Sequence, residues 1–263
     1  MAELDGLRAD LVAEQQALDD IVAGLGNDQW SLPTPSPGWN VADQIGHLTY
    51  FDGTAALAIT DPDAFRAGVE SLFASAGSDG GDDFTLGAFR ALAPAQQLAA
   101  WRANRRLLAE AAATLSDTTR IAWYGPSMGA KSFLTARLME VWAHGTDIID
   151  TVGGHREPTD RLRHIAQLGF ITRGWSYTVR GQEAPTGDMR LELNSPSGEL
   201  WTWGPDDAAD TVRGSAEDFC LVVTQRRHVD DTDLQCSEIG RHWLLRAQAF
   251  AGGATNVPEP RRS

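Results

Sequence analysis

The chain of 263 residues has little cysteine and no long apolar run. Cys220 and Cys236 are too few for a disulfide framework and lack the spacing of a metal-binding pair, so we expect free thiols in a reducing compartment. No segment approaches the roughly eighteen apolar residues of a membrane span, and the N-terminus lacks the basic-then-apolar order of a secretory signal. These absences predict a globular, cytoplasmic protein.

Positive charge is also scarce. The chain has 22 lysines and arginines against 36 aspartates and glutamates, a formal net charge of −14, and only one of the cations is a lysine. Apart from short pairs such as Arg105–Arg106 and Arg226–Arg227, the basic residues are dispersed. We therefore expect no nucleic acid and no membrane as partner, but a small-molecule substrate. The sequence leaves the choice between monomer and homodimer open.

Helical periodicity dominates the first part of the chain. Apolar residues three and four apart predict long helices over about residues 3–25, 41–59 and 94–116, and a fourth from about Ser132 through residue 150. Two shorter amphipathic pieces lie between the second and third of them. Four long helices with one crossover predict an up-down four-helix bundle over residues 1–152, and we expect no strand in it.

The chain from residue 153 to 263 has a different pattern. Residues 158–178 and 238–250 have helical periodicity. The segment MRLELNSPSGELWTWG alternates apolar and polar residues on both sides of a turn ending in Gly198, which predicts a β-hairpin. A further short strand is expected around Thr211. The fold class is therefore α+β, with a small α+β domain after the bundle.

The stretch RLMEVWAHGTDIID contains a possible site. As a helix it places Glu140 and His144 on one face, and the surrounding turns are almost wholly apolar. A buried carboxylate and a buried imidazole each need a partner. Either the two side chains hydrogen-bond to each other, or they bind a metal ion together with His47 from the second helix. The spacing leaves both alternatives open.

Two sequence runs resemble the DinB-like metal-binding family, and specifically its mycothiol-dependent maleylpyruvate isomerase branch. They are PGWNVADQIGHLTYFD and RLMEVWAHGTDIID, and ELNSPSGELWTWGPDDAAD is similar to the smaller second domain of that branch. The resemblance implies that His47, Glu140 and His144 bind a divalent ion, usually zinc. It also implies that mycothiol is the cosubstrate of an isomerase or an S-transferase.

The chemistry implied by this resemblance suits the ligand set. Two imidazoles and one carboxylate leave a coordination position open, which is the pattern of a catalytic rather than a structural zinc site. A thiol entering that position would lose its proton. In the isomerase branch the thiolate adds to a conjugated cis double bond, rotation follows, and elimination returns the trans isomer. Addition without elimination would make the enzyme a transferase.

Four further residues are candidates for the site. Asp43 and Asp147 lie about one turn from His47 and His144, so either carboxylate could orient a ring nitrogen. The alternatives are a helix cap for Asp43 and a solvent-facing helix end for Asp147. Arg226 or Arg227 resembles in position an arginine that holds the substrate carboxylate in the isomerase branch; surface charge is the alternative. We assign Arg227 to the substrate, and Arg226 and Asp147 to the cofactor.

Two other functions fit the same ligand set. One is a non-catalytic protein of the DinB-like fold that binds a metal or a small ligand without turnover. The other is a mononuclear iron oxygenase, because two histidines and one carboxylate also hold ferrous iron in that class. A thiol titration of the metal-loaded protein would separate the first from the enzyme, and oxygen consumption with added ferrous iron would reveal the second.

Overall fold

The computed structural model describes residues 2–75, 81–125 and 127–261. Contacts divide the chain into two compact units, Met1–Arg156 (unit 1) and Glu157–Ser263 (unit 2). The division falls slightly beyond the boundary predicted at residue 152, because Arg156 is tied into unit 1. Its guanidinium donates to Glu14 Oε1 and to the carbonyl of Trp142, each at 3.1 Å. That each unit is an independent domain stays a prediction.

Unit 1 is built mainly from helices. These are α1 (Ala2–Val22), α2 (Val41–Thr60), α3 (Pro62–Ser75), α4 (Gly81–Arg90), α5 (Pro94–Ala112) and α6 (Ala130–Val152). The four long helices form the predicted bundle, in which α2 packs chiefly on α5 and α1 chiefly on α6. The shorter α3 and α4 make the crossover and pack on α2. Among the described residues no helix is both long enough and apolar enough to cross a membrane.

The ends of α2 and α6 are set by local chemistry. The Asn40 side chain accepts the backbone N–H of Asp43 at 2.9 Å, and the Asp43 carboxylate accepts the backbone N–H of Asn40 at 3.2 Å. This reciprocal capping box satisfies two donors at the start of α2. The other helix, α6, stops at Gly153, whose φ of 71° is a left-handed conformation that glycine adopts without strain.

Two short strands in unit 1 show that our expectation of an all-helical first part was wrong. β1 (Arg120–Ile121) pairs antiparallel with β2 (Met128–Gly129) in the connection between α5 and α6. The backbone N–H of Ala130 then donates to the carbonyl of Thr119 at 3.0 Å. Each strand has only two residues, which is too short for an alternating pattern that would predict a strand from the sequence.

Unit 2 combines short helices with one sheet. Its elements are α7 (Leu162–Ile171), α8 (Arg173–Thr178), β3 (Met189–Asn194), β4 (Leu200–Trp203), β5 (Asp210–Ser215), α9 (Ala216–Val223), β6 (Gln235–Cys236) and α10 (Glu238–Leu244). The strand order is β4-β3-β5-β6. β3 pairs antiparallel with β4 and parallel with β5, and β6 is antiparallel to β5. The α+β class and the predicted hairpin are confirmed.

Two predicted helices of unit 2 are shorter than expected. The helix predicted over residues 158–178 breaks at Thr172, which has φ −88° and ψ 9° and whose hydroxyl donates to the carbonyl of Leu168 at 2.8 Å. The last helix ends at Leu244 rather than at residue 250. Beyond it, the backbone N–H of Ala249 donates to the carbonyl of Val223 at 2.9 Å. In residues 248–250, hydrogen bonds to distant parts of the chain therefore replace the hydrogen bonds that a continued helix would make.

Candidate metal centre

Three predicted ligands converge between α2 and α6. Glu140 Oε2 lies 3.5 Å from His47 Nε2 and 3.1 Å from His144 Nε2, and one donor atom from each residue lies within 4.8 Å of the others. Neighbouring ligands of a tetrahedral zinc ion with bonds of about 2.0–2.1 Å are about 3.3 Å apart. The three donors therefore fit one small divalent ion with little movement.

The same geometry also allows the alternative, a direct hydrogen bond between Glu140 and His144. His144 Nε2 and Glu140 Oε2 at 3.1 Å are within hydrogen-bond distance. A hydrogen bond between Glu140 and His144 does not require a second imidazole. His47 nevertheless lies beside them, although it is on another helix and more than ninety positions earlier in the chain. Its convergence on the same carboxylate oxygen favours the metal, whose binding stays a prediction.

The protonation states of the site suit a metal ligand set. Burial opposes ionisation of Glu140, but hydrogen bonds to His144 and His47 and the charge of Arg137 outweigh it and hold the pKa of Glu140 well below its usual range. Burial lowers the pKa of His47 to about 4, and the neighbouring His144 adds to this effect. At neutral pH the carboxylate is ionised and the His47 ring is neutral, and these are the forms that bind metals.

Gln44 orients His144 from the side opposite Glu140. Gln44 Oε1 lies 2.5 Å from His144 Nδ1, while Gln44 Nε2 donates to Thr34 Oγ1 at 2.8 Å. Because the amide nitrogen is engaged by Thr34, the amide oxygen faces the ring and Nδ1 carries the hydrogen. In this tautomer Nε2 has the lone pair, so it would bind a metal ion rather than donate a hydrogen bond to Glu140. Gln44 was not among the predicted site residues, although it precedes His47 by three residues and lies near it on α2.

Asp43 and Asp147 both make hydrogen bonds to groups other than the two imidazoles. Asp43 caps α2, as the alternative predicted, and accepts Arg90 Nε at 2.7 Å. Asp147 is only 4% exposed and accepts the hydroxyl of Ser36 at 3.1 Å. Both ring nitrogens of His144 already face Gln44 and Glu140. The expectation that Asp147 orients His144 is therefore wrong, and so is its solvent-facing alternative.

Aromatic rings cover the two imidazoles. The ring centroid of Trp39 lies 5.1 Å from that of His47 and 5.9 Å from that of His144, and Phe51 packs on His47 at 4.5 Å. The Trp39 indole N–H is fixed in turn by Asp82 Oδ2 at 2.8 Å. These contacts restrict the orientations of both histidine rings. Further aromatic residues continue the cluster: Tyr50, Phe65, Phe84, Trp123 and Tyr124.

The two candidate arginines belong to unit 2, whereas the three ligands belong to unit 1. Arg226 and Arg227 follow α9, after the Thr224 residue that ends it. Arg226 Nη1 donates to the carbonyl of Thr224 at 2.7 Å, and Arg227 Nη1 donates to the carbonyl of Arg226 at 2.7 Å. These bonds order the turn after α9. The assignment of Arg227 to the substrate and of Arg226 to the cofactor stays a prediction.

Fold and site together define a DinB-like helical-bundle protein with a possible two-histidine, one-carboxylate metal centre. Residues 11–149 match the model of the mycothiol maleylpyruvate isomerase N-terminal domain family, and the chain belongs to that family. The match spans the part of α6 that contains Glu140 and His144 and all of α2. In unit 2, residues 185–236 match a second model, described as wyosine base formation.

Curated relatives and solved structures are also similar to this chain. Two proteins of Mycobacterium tuberculosis, from strains CDC 1551 and H37Rv and each named as uncharacterized, are 46% identical over 255 residues, which is 96% of this chain and 98% of theirs. The crystal structure of the mycothiol-dependent maleylpyruvate isomerase is similar with a TM-score of 0.57 at 17% identity. A histidine-to-alanine mutant of it gives 0.59 at 16%. Each likeness covers 89% of this chain and 92% of the other, and at these identities it shows the fold alone.

Proposed function

We propose that the chain is a metal- and thiol-dependent enzyme that isomerises, or adds a thiol to, a small electrophilic substrate, with zinc as the metal and mycothiol as the thiol. The observation that carries the proposal is the convergence of His47, Glu140 and His144 within 4.8 Å. Membership in a family named for a mycothiol-dependent isomerase supports the enzyme and the thiol.

The residues at the site have distinct tasks in this proposal. A divalent ion held by the triad supplies an open coordination position and lowers the pKa of a thiol placed there. His47 and His144 bind as neutral ligands, so only Glu140 reduces the charge of the ion, and the net positive site favours a thiolate. Gln44 and Trp39 hold the imidazoles in the orientation that binding requires.

The reaction balances without an oxidant or reductant. The thiolate sulfur forms a bond to one carbon of a conjugated cis double bond, and the electron pair of that bond moves into the conjugated carbonyl. Rotation about the resulting single bond and loss of the thiolate give the trans isomer and regenerate the cosubstrate. If a proton is added to carbon instead, the thioether is the product, and the enzyme is an S-transferase.

A spectroscopic titration tests the proposal. We expect mycothiol added to the cobalt-substituted protein to produce a thiolate-to-cobalt charge-transfer band, because the sulfur occupies the open position. The His47→Ala variant should lack the band. The His155→Ala variant, which changes an exposed histidine in the same unit, should keep it.

The titration and an oxygen-consumption assay distinguish the two competing functions. A cobalt-loaded parent protein that shows no spectral change at saturating mycothiol would remove the thiol mechanism and favour a protein that binds metal without turnover. Oxygen consumption by the protein loaded with ferrous iron would instead indicate an oxygenase.

A further inference from the structure

Three arginines of unit 2 are arranged around Tyr177, a buried tyrosine on α8. Arg173 lies one turn before Tyr177 on the same helix, and therefore on the same face. The Tyr177 hydroxyl lies 2.9 Å from His242 Nδ1, and the His242 carbonyl accepts Arg246 Nη1 at 2.9 Å. The backbone N–H of Arg180 donates to the carbonyl of Tyr177 at 2.9 Å. We term Arg173, Arg180 and Arg246 the arginine cluster.

Neutral groups hold each guanidinium of the arginine cluster. Arg173 donates to two carbonyls of the loop before β3, at 3.3 and 3.1 Å. Arg180 donates to two carbonyls, at 2.8 and 2.5 Å, and Arg246 Nε donates to the side-chain oxygen of Gln182 at 3.0 Å. Among residues 2–75, 81–125 and 127–261, no carboxylate forms an ion pair with the cluster, and the buried Nε of Arg173 has no acceptor. Each guanidinium has five N–H groups and donates two of them to the protein, so most are left for a further acceptor.

The charges of the arginine cluster act on Tyr177 and on one another. Burial raises the pKa of Tyr177, while the charges of Arg173 and Arg246 oppose that rise. Burial lowers the pKa of Arg180, and the charge of Arg246 lowers it further. A guanidinium keeps its proton at neutral pH, so positive charges repel each other across a half-buried site. A bound anion would offset this repulsion.

A second group of arginines, in unit 1, has a carboxylate of its own. Asp19, only 2% exposed, accepts Arg102 Nε at 2.8 Å and lies 2.7 Å from Arg105 Nη2. The hydrogen bond from Arg102 lowers the pKa of Asp19 against the effect of burial, and the charges of both arginines add to it. These arginines are thus neutralised within the fold. The chain has 36 acidic residues, yet none in its described part forms an ion pair with the arginine cluster.

We propose that the arginine cluster binds the phosphate group of a small phosphorylated molecule. A phosphate monoester carries roughly two negative charges near neutral pH, and its oxygens point in several directions, so it accepts N–H bonds from more than one guanidinium. A carboxylate has one charge and two oxygens in one plane, which matches a single guanidinium. The three guanidiniums come from α8, the turn after it and the segment after α10. The inference does not depend on the proposed function, since phosphate binding needs neither the metal ion nor the thiol.

Calorimetric titration of the metal-free full chain tests the proposal with three probes: inorganic phosphate, glycerol 3-phosphate and acetate. Each is titrated at the same ionic strength in chloride. We expect the parent to bind both phosphates on the order of tenfold or more tightly than acetate, because several charge-assisted hydrogen bonds replace one. Glycerol 3-phosphate should bind at least as tightly as inorganic phosphate, because the ligand is a phosphorylated molecule.

Substitutions locate the binding. Arg246→Gln should weaken the binding of both phosphates on the order of tenfold, because a charged donor is lost. Arg246→Lys should be intermediate, since it keeps the charge but loses the planar fork. The matched control is Arg106→Gln, which removes an exposed arginine from the group on α5 and should bind phosphate as the parent does. If Arg246→Gln does not fold, Arg180→Gln replaces it with the same expectation.

Any of three results would overturn the proposal. They are a parent that binds phosphates no more tightly than acetate, an equal phosphate affinity in the parent and the Arg246 variant, and binding of inorganic phosphate without glycerol 3-phosphate. The first and third results require no substitution, so the proposal is testable even if the variants do not fold. The titrations use no cobalt and no mycothiol, so this test and that of the proposed function fail or succeed independently.

Discussion

At the residue scale, the centre depends on a glutamine far from its histidine in sequence. Gln44 and His144 are 100 positions apart, and the amide of Gln44 links the His144 ring to Thr34 in the loop before α2. Partners of this kind fix the tautomer and the orientation of a metal-binding histidine. A neutral amide does so without adding a charge to the site.

Removal of Gln44 tests that role. We expect Gln44→Leu to weaken cobalt binding by roughly 10–100-fold, as loss of such partners does at other metal sites, because His144 loses its preference for the Nδ1–H tautomer. Competition with a chromophoric chelator measures the affinity. The control is Gln97→Leu, a glutamine on α5 that is 3% exposed and donates to the carbonyl of Phe89. Equal cobalt affinity in parent and Gln44→Leu would contradict the assignment.

At the scale of the elements, three helices of the bundle meet at one buried carboxylate. Asp52 on α2 is 1% exposed and accepts Gln15 Nε2 of α1 at 2.9 Å and Trp101 Nε1 of α5 at 3.1 Å. Burial raises the pKa of Asp52 to about 6, against the opposing charge of Arg137 and the two hydrogen bonds. The fold therefore favours the protonated carboxyl.

This shift makes the stability of the bundle depend on pH. The folded pKa of about 6 lies above the ordinary 3.8, so the stabilisation from protonated Asp52 is complete below about pH 4 and is lost as the pH rises through 6. We expect the unfolding free energy of the parent, minus that of Asp52→Asn, to fall by up to about 3 kcal/mol between pH 4 and pH 7.5. Urea unfolding of both metal-free proteins measures it.

The control for that experiment is Asp20→Asn, which changes an exposed carboxylate on α1. Its stability difference from the parent should remain within about 0.5 kcal/mol, as for most surface substitutions. A parent-minus-variant difference for Asp52 that is constant with pH, or that rises with pH, would show that burial does not favour the protonated form.

At the scale of the whole molecule, all three proposed metal ligands belong to unit 1. That unit has its own apolar core, in which Leu18, Trp101, Leu108 and Leu134 have no exposed surface. A unit with its own core is expected to fold without the rest of the chain. We therefore expect the fragment of residues 1–156 to be helical and to bind one cobalt ion per chain.

Circular dichroism and cobalt titration of the fragment measure both properties. Its cobalt affinity should lie within a few-fold of that of the full chain, because every donor is present. The His144→Ala fragment should fold but bind no cobalt, which distinguishes specific binding from adsorption. An unfolded fragment would contradict the independence of unit 1, and a folded fragment without cobalt would contradict the ligand set.

Features that depend on neighbouring residues could be predicted before the fold was known. Helical periodicity predicted the long helices, and a helix cap was one of the two roles predicted for Asp43, because both features arise within a few residues of the chain. Alternation predicted the β3–β4 hairpin in the same way. Glu140 and His144 were found from their spacing of one helical turn, and His47 was named as a possible third ligand that the family resemblance then supported.

Features that depend on residues distant in sequence could be found only in the folded chain. The partner of His144 is Gln44 and not Asp147, and Arg246 donates to the side chain of Gln182. The chain also leaves the helix after Leu244, where Ala249 bonds to Val223. In each case, a polar group is positioned by whichever partner the packed helices bring within hydrogen-bond distance, and local spacing carries no information about that partner.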